Sequence, residues 1–141
     1  MVQLIVGEKG KGKTKILLDK ANDEVKQVNG NVVYLDKSVK HMYELNNKIR
    51  LINVMDYLIS NSDEFVGFIL GIVSQDHDLE QMYLDSFMKI AKLENEEDKI
   101  SAVLNKLQKV GEVYDVSFII SLSKDEKDLP EDIKGMIQTS L

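Results

Sequence analysis

Residues 2–21 of the chain read VQLIVGEKGKGKTKILLDKA, and this stretch decides the fold. An apolar run at residues 2–6 ends at Gly7, and apolar residues then recur at helical spacing over residues 17–28. The stretch therefore predicts a strand, a glycine-rich loop and a helix, in that order. Lysines at positions 9, 11, 13 and 15 indicate a nearby anion, because the chain as a whole carries a formal net charge of -6.

The length and composition predict a single domain over residues 1–141. A chain of 141 residues is long enough for one hydrophobic core and too short for two. Its hydrophobic fraction of 43% and charged fraction of 30% are ordinary for a soluble globular protein. The chain has no cysteine, which excludes a disulfide framework, a thiolate zinc site and a cysteine nucleophile.

The charge and hydropathy patterns also limit the kinds of partner and the cellular location that we expect for this protein. The acidic balance argues against dedicated nucleic-acid binding, which requires many clustered cations. The longest apolar run, FVGFILGIV at residues 65–73, has nine residues, and a membrane-spanning helix needs ~20. We therefore expect no membrane span. Because the first strand starts at Val2, it leaves no room for a secretory signal, and we expect a cytoplasmic protein.

The rest of the chain alternates between strand and helix patterns. Further strands are predicted at residues 31–36, 50–53, 81–85 and 116–122. Further helices are predicted at residues 39–47, 63–75, 100–110 and, after Pro130, 131–138. Strands separated by helices imply parallel pairing through right-handed crossovers. The predicted fold class is therefore α/β, a three-layer α/β/α sandwich with a mostly parallel sheet of about five strands.

The loop GEKGKGKT at residues 7–14 fits the pattern G-x-x-x-x-G-K-[ST]. Its glycines allow the backbone to turn tightly and to bring N–H groups onto phosphate oxygens, and Gly10 adds a further glycine. Lys13 is expected to reach the β and γ phosphates of a nucleotide, and the Thr14 hydroxyl is expected to ligate Mg²⁺. The N-terminus of the following helix adds a positive dipole end to the same place.

The motif lies between a strand and a helix at the first βα turn, where open α/β sheets place phosphates. In this position it makes the chain resemble the P-loop NTPase superfamily. The resemblance implies that ATP and Mg²⁺ are the cofactors. It assigns nucleotide binding to Gly7, Glu8, Lys9, Gly10, Lys11, Gly12, Lys13 and Thr14. Adenine is favoured over guanine because residues 123–126, SKDE, lack the ends of the asparagine-lysine-x-aspartate element that reads guanine.

A second element of the resembled superfamily is an acidic residue at the end of a buried strand, which holds the magnesium ion. Asp36, in NVVYLD, and Asp85, in QMYLD, both fit this description. We prefer Asp85, because in the resembled superfamily the acidic strand usually comes later than the strand immediately after the first helix. Asp36 stays open as the alternative.

The last predicted strand would then lie beside the strand that precedes the glycine loop. Ser121 and Ser123, at its tip, are candidates for sensing a phosphate or the attacking water. No glutamate follows Asp85, since the next residue is Ser86, and Arg50 is the only arginine that could stabilise transition-state charge in cis. We therefore assign no catalytic residue and expect any ATP hydrolysis to be slow.

The order of the glycine loop and the predicted strands and helices also resembles that of a narrower group. These are small stand-alone P-loop proteins of Firmicutes that are labelled twitching-motility, or pilus-retraction, ATPases by similarity. Lys13, Thr14 and the segment MYLDSF at residues 82–87 carry this resemblance. Pilus-retraction motors are much longer and have an N-terminal domain with acidic and histidine boxes that have no counterpart here. The resemblance therefore implies nucleotide binding and leaves motility aside.

Three functions remain open from the sequence. The first is a Mg²⁺-dependent ATP-binding protein, acting as a slow ATPase or nucleotide switch with a protein partner or as a homo-oligomer. The second is a small-molecule kinase in which Asp36 is the base for an acceptor hydroxyl and residues 37–60 form a substrate lid. The third is a non-enzymatic interaction module that retains a bound nucleotide. We take the first as the main prediction.

Overall fold

A parallel sheet of six strands organises the molecule, for which the computed structural model describes all residues from 1 to 141. The strands are β1 (Val2–Val6), β2 (Asn31–Asp36), β3 (Arg50–Asn53), β4 (Leu79–Leu84), β5 (Ser117–Leu122) and β6 (Ile137–Ser140). Their order across the sheet is β3-β2-β4-β5-β1-β6, and every neighbouring pair is parallel. All carboxyl ends of the strands therefore meet at one edge of the sheet.

Helices cover both faces of this sheet. They are α1 (Lys13–Glu24), α2 (Ser62–Gln75), α3 (Phe87–Ile90) and α4 (Ile100–Tyr114). The larger apolar cluster, of 28 buried residues, includes side chains from α2, α3 and α4, and the smaller cluster, of 10, includes those of α1. Along β2, Val33 and Leu35 belong to the larger cluster and Val32 and Tyr34 to the smaller one, as the two-residue period of a strand requires. The predicted three-layer α/β/α sandwich is confirmed.

The end of the chain corrects the sequence prediction. The predicted closing helix at residues 131–138 is a 3₁₀ helix over Glu131–Met136 followed by the strand β6, so the sheet has six strands and not about five. β6 pairs with the outer edge of β1, for example Leu4 with Ile137. Because this pairing joins residues far apart in the chain, the local pattern did not reveal it.

Two further helices differ from the sequence prediction in type or length. The helix predicted at residues 39–47 is a single 3₁₀ turn, Met42–Glu44. The Asn22 side chain donates to the Glu44 carbonyl and accepts from the Asn46 N–H, which fixes this segment against α1. Helix α4 continues past Gly111, where a Cβ would lie 2.5 Å from the Met1 nitrogen and 2.6 Å from the Val116 carbonyl oxygen.

The elements that position the glycine loop follow the sequence prediction closely. β1 and α1 flank the loop, β5 lies beside β1 as predicted, and β4 lies on the far side of β5. Helix α2 matches its predicted range to within one residue. None of the helices is both long enough and apolar enough to cross a membrane.

Candidate functional site

The loop between β1 and α1 has a backbone that favours glycine. Gly10 and Gly12 have φ angles of 84° and 90°, in the left-handed region that other residues rarely adopt. Gly12 immediately precedes the first residue of α1, so the loop turns directly into the helix N-terminus. The first N–H groups of α1 have no partner within the helix and can donate to a group in the loop.

Lys13, the first residue of α1, is buried, and its ammonium group contacts the backbone of the loop. Its Nζ donates to the Gly7 carbonyl oxygen at 2.7 Å and to the Glu8 carbonyl oxygen at 2.8 Å. Burial lowers the pKa of Lys13, and the nearby carboxylate of Asp85 opposes that change. The loop therefore holds a cation whose hydrogen bonds go only to neutral carbonyl groups.

Thr14 and Asp85, from distant parts of the chain, meet beside Lys13. The Thr14 hydroxyl Oγ1 donates to Asp85 Oδ1 at 3.2 Å. Asp85 follows β4 and is only 2% exposed. Since hydroxyl and carboxylate oxygens are ligands that Mg²⁺ accepts, these two side chains form a pair of oxygen ligands that could hold a magnesium ion.

Three further donors fix the orientation of the Asp85 carboxylate. Oδ1 also accepts from Ser121 Oγ at 2.7 Å and from the Ser86 N–H at 2.9 Å. Oδ2 accepts from the Tyr34 hydroxyl at 2.8 Å. The Ser86 N–H is also within 2.9 Å of Ser121 Oγ. Both oxygens of Asp85 are thus occupied, and the tips of β2, β4 and β5 are tied together at this carboxylate.

Asp36, the alternative acidic residue, has a different environment. It ends β2, is 2% exposed, and accepts the Lys37 N–H at 2.7 Å. Burial and the nearby Asp85 raise the pKa of Asp36, while Lys37 and His41 partly oppose the rise. Its hydrogen bond is local and does not involve Thr14. Of the two predicted aspartates, the structure brings Asp85 to the glycine loop.

A cleft of about 470 Å³ opens over the loop and the strand tips. Its cationic side chains are Lys9, Lys13, Lys37 and Lys89, its hydroxyl groups are Thr14, Ser86, Ser121 and Ser123, and its carboxylates are Asp85 and Glu94. Gly10 and Gly12 also line it, whereas Lys11 is exposed outside the lining and Glu8 contributes its carbonyl to Lys13. An arrangement of this kind can hold an anion together with a divalent cation.

Sequence reasoning missed three residues at this site. Tyr34 lies within the apolar run of β2, whose pattern predicts its burial but not that its hydroxyl donates to Asp85. Lys37 follows the tip of β2, so the rule that placed Asp36 at this edge could have found it. Lys89 lies on the one-turn helix α3, which is too short to show a helical pattern in the sequence.

No protein-family model matches the chain, and no characterised protein matches its sequence. The functional interpretation therefore depends on the geometry of the loop, the strand tips and the cleft.

Proposed function

We propose that this protein binds ATP together with Mg²⁺ through the loop of residues 7–14, as the resemblance to P-loop NTPases implies. The observation that carries the proposal is the 3.2 Å contact between Thr14 Oγ1 and Asp85 Oδ1 directly beside the buried Lys13. The position of β5 between β1 and β4 also supports it, because it brings the carboxyl ends of β1 and β4, and with them Thr14 and Asp85, to the same edge of the sheet.

The side chains of Lys13, Thr14 and Asp85 fit both the phosphates of ATP and the Mg²⁺ ion. Two oxygens at 3.2 Å match adjacent ligands of one Mg²⁺, whose metal–oxygen distances are ~2.0–2.1 Å. Thr14 and Asp85 would hold the ion, which supplies charge neutralisation for the phosphates. Lys13 would exchange the neutral carbonyl oxygens of Gly7 and Glu8 for charged phosphate oxygens, so that its ammonium gains ionic partners.

The same geometry favours a slow ATPase or nucleotide switch that acts with a protein partner. Ser86 follows Asp85 where a water-orienting glutamate would stand, and its N–H is engaged with Asp85 and Ser121. The cleft contains lysines and no arginine. A partner that inserts an arginine would supply the missing transition-state charge.

The kinase alternative receives less support. Its proposed base, Asp36, accepts a backbone N–H from Lys37 and is not part of the cleft lining. A base must lie within hydrogen-bond reach of the acceptor hydroxyl. The geometry therefore favours nucleotide binding at Asp85 over phosphoryl transfer through Asp36.

A thermal denaturation series tests the proposal. ATP with Mg²⁺ should raise the melting temperature, because ligand at 100 times its Kd stabilises the folded state by ~2.7 kcal/mol. For a chain of this size that corresponds to roughly 8–10 °C. ATP with a chelator should give a smaller shift, because Thr14 and Asp85 then lack the ion that links them to the phosphates. No shift under either condition would contradict the proposal.

A further inference from the structure

The cleft over the loop concentrates unpaired positive charge in an acidic protein. The side chains of Lys9, Lys37 and Lys89 line the cleft, and none of them takes part in a salt bridge or a side-chain hydrogen bond. Other lysines, such as Lys15 and Lys124, are paired with carboxylates. With Lys13, the cleft has four lysines against two carboxylates, while the whole chain has a net charge of -6.

The remaining lining is polar and offers nothing that would read a nucleotide base. Met88 is the single apolar residue among the 13 that line the cleft, and none is aromatic. Sites that recognise a flat organic group are lined mainly by apolar and aromatic side chains. Here the lining consists of glycines, hydroxyls, lysines and carboxylates, the chemistry of phosphate and metal binding.

A second cleft has aromatic and aliphatic side chains in part of its lining, and it shares no lining residue with the cleft over the loop. Tyr57, Phe68 and Ile72 line that second cleft together with Asn31 and Arg50, which begin β2 and β3. Because the strands are parallel, their beginnings lie at the sheet edge opposite the glycine loop. The second cleft also reaches Ile52 near the end of β3, but three strand spacings of ~4.7–4.9 Å separate β2 from β1, so this cleft lies to the side of the glycine loop.

We propose that the cleft selects a Mg²⁺-bound triphosphate chain and is indifferent to the base attached to it. The inference rests on the proposed ATP binding and extends its ligand class to nucleoside triphosphates of any base and to inorganic triphosphate. A lysine ammonium acts as a point charge on phosphate without the directional fork of arginine, so four lysines attract the chain by its charge. The base stays outside the cleft and contributes little to affinity.

Calorimetric titration of the full chain tests the inference, using ATP, GTP, CTP and inorganic triphosphate, each with Mg²⁺. We expect the four dissociation constants to agree within fivefold, and adenosine to give no binding. A dissociation constant for ATP more than fivefold below any of the other three would overturn the inference and leave the proposed ATP binding intact. Absence of binding by all four ligands would overturn both.

A charge variant provides a second measurement. The triple variant combines Lys9→Gln, Lys37→Gln and Lys89→Gln. It should weaken the binding of ATP and of inorganic triphosphate by the same factor, at least tenfold. It should also make both affinities less dependent on salt concentration. The matched control combines Lys26→Gln, Lys106→Gln and Lys109→Gln, which remove equal charge from exposed lysines outside the cleft. An effect on ATP alone, or no larger effect than in the control, would contradict the inference.

Discussion

Thr14 Oγ1 lies 3.2 Å from Asp85 Oδ1, although 71 positions separate the two residues in the chain. The contact exists because β4 and β1 are parallel strands of one sheet with only β5 between them, so their carboxyl ends reach the same edge. Ser121, at the tip of β5, completes the path by donating to the same oxygen of Asp85. The sheet topology thus assembles this group of oxygens from three separate segments.

The first prediction compares the two aspartates at strand tips. Asp85→Asn preserves the side-chain shape but removes the charge beside Thr14, so the Mg²⁺-dependent part of ATP affinity should fall by ~10–100-fold. Asp36→Asn should change it by less than threefold, because Asp36 bonds only to the Lys37 N–H. ATP titrations with and without Mg²⁺ measure both effects. The reverse order would transfer the metal role to Asp36 and revive the kinase alternative.

The second prediction concerns the hydroxyl that holds Asp85 Oδ2. Tyr34→Phe deletes this donor while leaving the ring stacked on Tyr83, with 5.9 Å between ring centroids. Losing a hydrogen bond to a carboxylate should lower the free energy of unfolding by ~1.5–3 kcal/mol. Urea denaturation measures this loss.

Tyr83→Phe is the matched control for that measurement. Its hydroxyl donates to the neutral Gln81 side chain at 2.7 Å, so its removal should cost only ~0.5–1.5 kcal/mol. Equal losses in the two variants would show that the Tyr34 hydroxyl does no more than an ordinary neutral hydrogen bond.

The third prediction is a pH dependence of stability that originates at Asp36. Burial and Asp85 raise its pKa in the folded state above the ordinary value of 3.8. The folded state then binds this proton more tightly than the unfolded state, so the contribution of Asp36 to stability falls as the pH rises from that value through the folded pKa. Asp36→Asn cannot ionise, and its Oδ1 can still accept the Lys37 N–H.

Urea denaturation of wild type and Asp36→Asn between about pH 4 and pH 7 measures this effect. The difference in unfolding free energy should move in favour of the asparagine variant as the pH rises, and then become constant above the folded pKa. A difference that is independent of pH would contradict the assigned cause.

The fourth prediction concerns turnover. Without a glutamate after Asp85 and without an arginine in the cleft, the isolated chain should hydrolyse ATP no faster than unassisted switch proteins, below ~10⁻³ s⁻¹. A phosphate-release assay measures this rate, with Lys13→Ala as the control for contaminating ATPases. Faster turnover by wild type that is lost in Glu94→Gln would identify Glu94 as the water-orienting carboxylate and contradict the prediction.

The sequence predicts most of the site because its determinants are local or tied to strand ends. The pattern G-x-x-x-x-G-K-T fixes the loop, and the rule that parallel strands end at one edge brings Asp85 and Ser121 towards it. The choice between Asp85 and Asp36 could be stated only as a preference, since both follow buried strands. The structure adds the strand order, which determines the aspartate that Thr14 contacts.

What the sequence does not predict depends on contacts between distant residues. β6 pairs with the outer edge of β1, a contact between distant residues that the four-residue segment 137–140 does not reveal by itself. The Tyr34 hydroxyl meets Asp85 because β2 and β4 are neighbours, which strand periodicity alone cannot show. The lysine-lined cleft likewise draws Lys37 and Lys89 from different loops and helices.

Calorimetric titration of ATP with Mg²⁺ into wild type and Lys13→Ala tests the central claim most directly. Lys13 is the buried cation of the loop, so its loss should weaken ATP binding by at least ~100-fold. That factor corresponds to a lost charge-assisted contact of ~2.7 kcal/mol. Lys15→Ala, which removes an exposed lysine paired with Asp19 at 3.3 Å, should bind like wild type. Wild-type affinity in a folded Lys13→Ala variant would contradict the assignment of the loop as the nucleotide site.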